Sequence, residues 1–148
     1  DSRSDPSQMW VETDAISVKS IETSPPHANG VVELGESRTL VMNLNLEAAD
    51  EVPELDVLVT AFDDSGQPMV TLRGTIDQRW TSHATVKIDS GPVPLASGSY
   101  SIHIAFVERG CNENVMRGID VLRLNVLSSD WSPTTVTTPL QRVSLLRP

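Results

Sequence analysis

The sequence predicts an all-β fold, an antiparallel β-sandwich of seven to nine strands with immunoglobulin-like or jelly-roll connectivity, and three observations predict it. β-Branched residues (17 Val, 7 Ile and 12 Thr) occupy 36 of 148 positions, a composition that favours strands over long helices. Short apolar segments recur every ~8 to 12 residues with Gly, Pro, Asn and Asp between them. No stretch of about ten residues with helical periodicity joins these segments, so the crossovers that a parallel sheet needs are missing.

In chain order, residues 1–8 are polar and aperiodic, which predicts a linker or disordered start, and a single domain is expected over residues 9–148. The chain begins without Met and without the basic and apolar regions of a signal peptide, as a piece of a longer protein would. Ile16, Val18 and, after a slip of register, Ile21 predict the first strand, and Ser24-Pro25-Pro26-His27-Ala28-Asn29-Gly30 is a turn cluster with another strand after it. From Thr39 to Leu46 the apolar Leu40, Met42, Leu44 and Leu46 share one face, the clearest period-two pattern in the chain. Leu55 to Phe62 is nearly continuous in apolar residues and predicts a central strand entering a hairpin turn at Asp63-Asp64-Ser65-Gly66.

Met69 to Leu72 is the expected return strand, Gly74 to Ser82 a polar loop, and Thr85 to Ile88 another short strand. The Pro and Gly of residues 91–99 are expected to keep that connection out of both neighbouring ladders. Tyr100, Ile102, Ile104 and Phe106 then alternate with Ser101, His103 and Ala105 and predict a strand at the centre of the core. A further strand falls within Val115 to Val126, with a turn or bulge at Gly118 and Leu122, Leu124 and Val126 facing inward. The tail from Trp131 to Pro148 can form one last strand, and Trp10 and Trp131, near the two chain ends, are expected to cover the open edges of the core.

Charge and motifs exclude several functions. Twenty Asp and Glu against eleven Lys and Arg give a net charge of −9 without any basic run, so nucleic acid is not an expected partner. Cys111 is the only cysteine, which excludes an intramolecular disulfide and a cysteine-rich metal site, and nothing around it suggests a nucleophile. His27, His83 and His103 match no zinc spacing, and the Asp63-Asp64 turn lacks the further acids of a calcium loop. Phosphate-binding glycine loops and nucleophile-elbow patterns are also absent. No catalytic residue, metal ligand or cofactor is therefore assigned, and the chain reads as a binding domain rather than an enzyme. Two distant carboxylates meeting in a cleft, as glycoside hydrolysis requires, remain an alternative that sequence leaves open.

The outward faces of the best strands carry the candidate site: Ser101 and His103 on one, Arg123 and Asn125 on another, and Thr60 on the strand ending at Phe62. On neighbouring strands, His103, Arg123 and Asn125 would stand within ~5 to 8 Å of one another. Such a face can hydrogen-bond sugar hydroxyls, or it can simply be the solvated side of a sheet. Trp80, beside Arg79 in the expected loop, is the candidate ring for stacking on a sugar.

Three stretches together resemble a known family: Gly35-Glu36-Ser37 leading into Leu40-Val41-Met42-Asn43-Leu44, the run from Val57 through Phe62 to Pro68, and Leu95-Ala96-Ser97-Gly98-Ser99-Tyr100 continuing to Ile104. From Ile16 to Val126 the chain is similar to the carbohydrate-binding C-terminal domain of the ATP-binding subunit of O-antigen polysaccharide ABC transporters, the Wzt type. The resemblance implies a β-sandwich that recognises the modified end of a finished lipopolysaccharide O-antigen chain. It also implies the nucleotide-binding domain and permease of the transporter as partners and a cytoplasmic location peripheral to the inner membrane. A homodimer that exchanges a C-terminal strand is implied too, with residues 131–148 the candidate segment. Contacts in that family vary with the glycan, so Trp80, Arg79, His103, Arg123, Asn125 and Thr60 are read from the geometry of the face alone. The competing reading is a structural or adhesive sandwich module of a surface protein.

Overall fold

Period-two burial builds two sheets. The computed structural model describes residues 10–12, 16–35, 39–93, 95–110, 114–127, 136–139 and 142–146, with the backbone alone at 10–12, 114, 136–139 and 142–146. Its strands are β1 (Trp10–Glu12), β2 (Ile16–Ser24), β3 (Val31–Leu34), β4 (Thr39–Val52), β5 (Leu55–Phe62), β6 (Pro68–Ile76), β7 (Trp80–Pro92), β8 (Gly98–Glu108), β9 (Asn114–Val126), β10 (Val136–Pro139) and β11 (Arg142–Leu146). Seven of them, β2 and β4 to β9, have eight residues or more and make the body of the sandwich. The described residues contain no helix.

One sheet runs β1-β9-β8-β5-β6-β10, with β3 also on β9, and the other runs β11-β7-β4-β2. The pairing is immunoglobulin-like. After β2 has paired with β4, the chain crosses to the other sheet through the cis Ser24-Pro25 peptide and β3 lies parallel to β9. Tyr100, near the start of β8, donates its hydroxyl hydrogen to the Ala96 carbonyl at 2.8 Å. That is the tyrosine corner of such sandwiches, and it closes the connection between β7 and β8.

Between the sheets lie Leu44, Val86 and Ile88 from one side and Val57, Ile104, Phe106 and Leu122 from the other, each with no exposed surface. The slip after Val18 is a β-bulge between Val18 and Ser20. The hairpin turn forms as expected: Asp63 Oδ1 accepts hydrogen bonds from Ser65 N, Ser65 Oγ and Gln67 N, and Gly66 supplies a φ of 87°. The Ser65 hydroxyl, then the Gln67 N–H, hold the Asp63 carboxyl below the ordinary carboxylate range. Cys111 and Trp131, and the side chain of Trp10, lie outside the described residues.

Two expectations are corrected. Residues 74–82 are not a loop: β6 continues to Ile76 and β7 starts at Trp80, leaving only residues 77–79 between them. Likewise Gly91 and Pro92 end β7 rather than standing apart, with Pro92 in register with Thr39 at the close of the ladder, where a missing N–H is tolerated. Thr81, Ser82 and His83 face solvent on β7 directly after Trp80, a pattern that short windows confuse with a loop.

Trp80 is 3% exposed, and its indole belongs to the core, paired in register with Val52. Trp80→Ala is expected to lower the unfolding free energy by about 3 to 5 kcal/mol in urea denaturation, the usual cost of removing a buried aromatic. A loss below about 1 kcal/mol would mean that the ring is not packed as described.

Candidate functional site

The outer face of the larger sheet gathers polar and aromatic groups from β5, β6, β8 and β9. Thr60 of β5 sits in register between His103 of β8 and Thr71 of β6, and the Thr60 and Thr71 hydroxyls are 3.2 Å apart. Phe62, one row along β5, packs its ring against the His103 imidazole with centroids 4.3 Å apart and planes tilted by 42°. Two rings and two hydroxyls therefore share one small area.

β9 gives this area its shape. Its ladder with β8 jumps from Ile102↔Leu122 to Ile104↔Gly118, so residues 119–121 bulge opposite His103. Asp120 takes a φ of 54° there, a conformation that costs a non-glycine residue energy and that concentrates at ligand sites. Its carboxylate accepts a hydrogen bond from Ser101 Oγ at 2.8 Å and stands near enough to His103 to favour the charged imidazole. Burial outweighs that attraction, and Arg117 adds to burial, so the His103 pKa falls below its ordinary value.

Arg123 donates from Nε to Ser99 Oγ at 3.1 Å and pairs with the Asp64 carboxylate. The next strand, β3, faces Arg123 and Asn125 with Val31 and Glu33. An open cleft lined by Pro25, Pro26, Ala28, Val31 and Glu33 begins there.

The structure thus brings Thr60, His103 and Arg123 together on one face, with Asn125 at its margin. The expected 5 to 8 Å spacing fails for Asn125. The β8–β9 register puts Arg123 opposite Ser101 and Asn125 opposite Ser99, the latter four residues along the strand from His103, or about 13 Å. Arg79 and Trp80 do not belong here at all. Trp80 is core in the other sheet, and Arg79 is exposed next to it, 3.7 Å from Glu51. Trp80 therefore cannot stack on a ligand.

Phe62 and Asp120 were not picked out in the sequence. Phe62 ends an apolar run without visible alternation, although the polar Asp56 and Thr60, in phase with it, mark the outward parity. Asp120 is hidden because the bulge breaks the parity of β9, leaving the adjacent Val121 and Leu122 both buried.

On the opposite sheet, Ser20, Asn45 and Thr85 form a hydrogen-bonded chain at 2.6 and 2.7 Å. Among the described residues no group of three His, Cys, Asp or Glu could hold a metal ion, and no helix is long and apolar enough to cross a membrane.

A two-layer immunoglobulin-like sandwich with one sheet face of rings, hydroxyls and charges is the class that fold and face define. No family model and no curated protein matches the chain. Among solved structures it is similar to the crystal structure of the C-terminal domain of Wzt, with a TM-score of 0.65 over 85% of this chain and 83% of that chain, at 10% identity. The shared fold is that expected from the sequence resemblance.

Burial of His103 makes an acid-side prediction. The folded state binds its proton less readily than the unfolded chain, so His103 lowers stability as pH falls below the unfolded value of 6.5. His103→Gln should gain on the parent as pH drops from about 7.5 to about 5.5, read as the difference in urea midpoint at each pH. A constant difference would contradict the half-buried imidazole.

Proposed function

We propose that this protein is a non-catalytic module that recognises the terminal part of a cell-surface polysaccharide of O-antigen type for export by an ABC transporter. The observation that carries the reading is the Phe62–His103 ring pair set among the Thr60 and Thr71 hydroxyls and the Ser101–Asp120 hydrogen bond, on a fold shared with the C-terminal domain of Wzt. A sugar presents C–H faces that lie against rings and hydroxyls that need both donors and acceptors. The face offers all of these. In this reading the chain works on the cytoplasmic side of the inner membrane, joined to a nucleotide-binding domain and a permease.

Because the face is shallow, affinity for a terminal oligosaccharide should be micromolar to millimolar, about −4 to −8 kcal/mol. Calorimetric titration with the end fragment of an O-antigen-type polysaccharide tests it. Phe62→Ala combined with His103→Ala should weaken binding by about tenfold or more, whereas unchanged binding would remove this face from the account.

The same reading includes a homodimer that exchanges residues 131–148. Within one chain β10 adds to β6 and β11 to β7, and the exchange would transfer those edge pairings to the second copy. Deleting residues 131–148 should then convert a dimer into a monomer in light scattering, and a dimer that survives the deletion would contradict the exchange.

A further inference from the structure

Among the described strands, β3 pairs with β9 alone, so one of its edges is open. Arg123 N donates to the Gly30 carbonyl at 2.7 Å and Leu127 N to the Leu34 carbonyl at 2.9 Å. Gly30, Val32 and Leu34 therefore turn their backbone groups toward β9, while Val31 and Glu33 turn theirs away from it. Val31 exchanges both of its groups with Ala28, at 2.9 and 3.1 Å. Glu33 has no such partner, and its N–H and C=O stand open at the edge, arranged to receive one residue of an added strand.

That edge opens on the cleft of Pro25, Pro26, Ala28, Val31 and Glu33. Proline has no N–H, and the Pro25 carbonyl accepts the Thr23 hydroxyl hydrogen at 2.7 Å, so the prolines offer an apolar wall that does not compete for backbone hydrogen bonds. Sheet edges are commonly guarded by Lys, by Pro or by a bulge. β2, at the edge of the other sheet, has Lys19 within its bulge, whereas β3 has none of the three and exposes Glu33. Glu47, Glu51, Asp56, Asp64 and Asp77 are each held by a Lys or Arg, but Glu33 enters no ion pair among the described residues. On an added strand, the residue opposite Glu33 would have its Cβ about 5.5 Å away, within easy reach of a Lys or Arg. A second copy of the chain fits poorly: the open groups belong to Glu33, so two such edges would pair Glu33 with Glu33, and like charges directly opposite destabilise a ladder.

We propose that the open edge of β3 and the cleft beside it dock an extended, basic segment of a partner protein, which adds a short strand to the larger sheet. The segment bonds its backbone to Glu33 and sets a Lys or Arg against the Glu33 carboxylate. Ala28 already fills the place opposite Val31, so the segment leaves the ladder there and lays an apolar side chain on Pro25 and Pro26. Main-chain hydrogen bonds supply the affinity in this mode of recognition, and the side chains supply the selectivity. The docking edge lies beyond β9 from the ring pair and does not depend on the carbohydrate reading.

The test follows backbone amide signals of the whole chain by NMR during titration with a capped five-residue peptide alternating valine and lysine. Two controls are the same peptide with glutamate for lysine and the lysine peptide with its backbone N-methylated. Before any addition, hydrogen exchange should find the Glu33 amide unprotected between protected Val32 and Leu34. The lysine peptide should shift and protect Glu33, and each control should bind about tenfold or more weakly. Glu33→Gln, a change on an exposed side chain, should remove the preference for lysine over glutamate. A Glu33 amide already protected in the free chain, or no shift at Glu33 with the lysine peptide, would overturn the docking edge. Equal binding of the lysine and glutamate peptides, or a preference that survives Glu33→Gln, would overturn the basic partner, and indifference to N-methylation would overturn strand addition. Shifts at Glu33 that grow with protein concentration alone would replace the partner with a second copy.

Discussion

Everything at the candidate site depends on the burial of alternate residues of β8 between the two sheets. Tyr100, Ile102, Ile104 and Phe106 are 6%, 2%, 0% and 0% exposed, and each fills space that the opposing sheet would otherwise leave empty. Removing any one would open a cavity, so neither the register nor the facing of the strand can slip without turning every side chain over. His103 and Ser101 are held outward by that packing, and the unbroken ladder with β5 carries Thr60 and Phe62 to the same face.

On its other side β8 meets a deliberate irregularity. Three residues of β9 bulge against His103, and Asp120 is held there in a left-handed backbone conformation. A regular ladder would present alternate side chains at even spacing on a flat surface. With the bulge, a carboxylate comes close to the imidazole and Arg123 stands opposite Ser101, one row nearer to His103 than an unbroken ladder from Gly118 would put it, where Asp64 and Ser99 engage it. Because so many of the polar groups are already bonded to one another, they keep their positions when a ligand arrives, which lowers the ordering cost of binding.

Much of this was legible in the sequence because period two is strong where one face is apolar and the other polar. Thr39 to Leu46 and Tyr100 to Phe106 show it cleanly, and the slip between Val18 and Ile21 marks a real bulge. The Asp63-Asp64-Ser65-Gly66 turn was readable because its side chains cap their own backbone. Trp80 was misplaced because its polar neighbours suggested a loop, while its ladder partner, Val52, lies 28 residues earlier on β4. Phe62 and Asp120 were missed for the opposite reasons: an apolar run conceals which of its residues face out, and a bulge reverses a parity that spacing alone would continue.

Backbone amide shifts, mapped by NMR as the polysaccharide end fragment is added, test the central claim most directly. The perturbed amides should cluster around Phe62, Ser101, His103, Arg117 and Asp120 on β5, β8 and β9. Perturbations centred instead on Asn43, Asn45 and Thr85 of the opposite sheet, or none on either sheet, would contradict it.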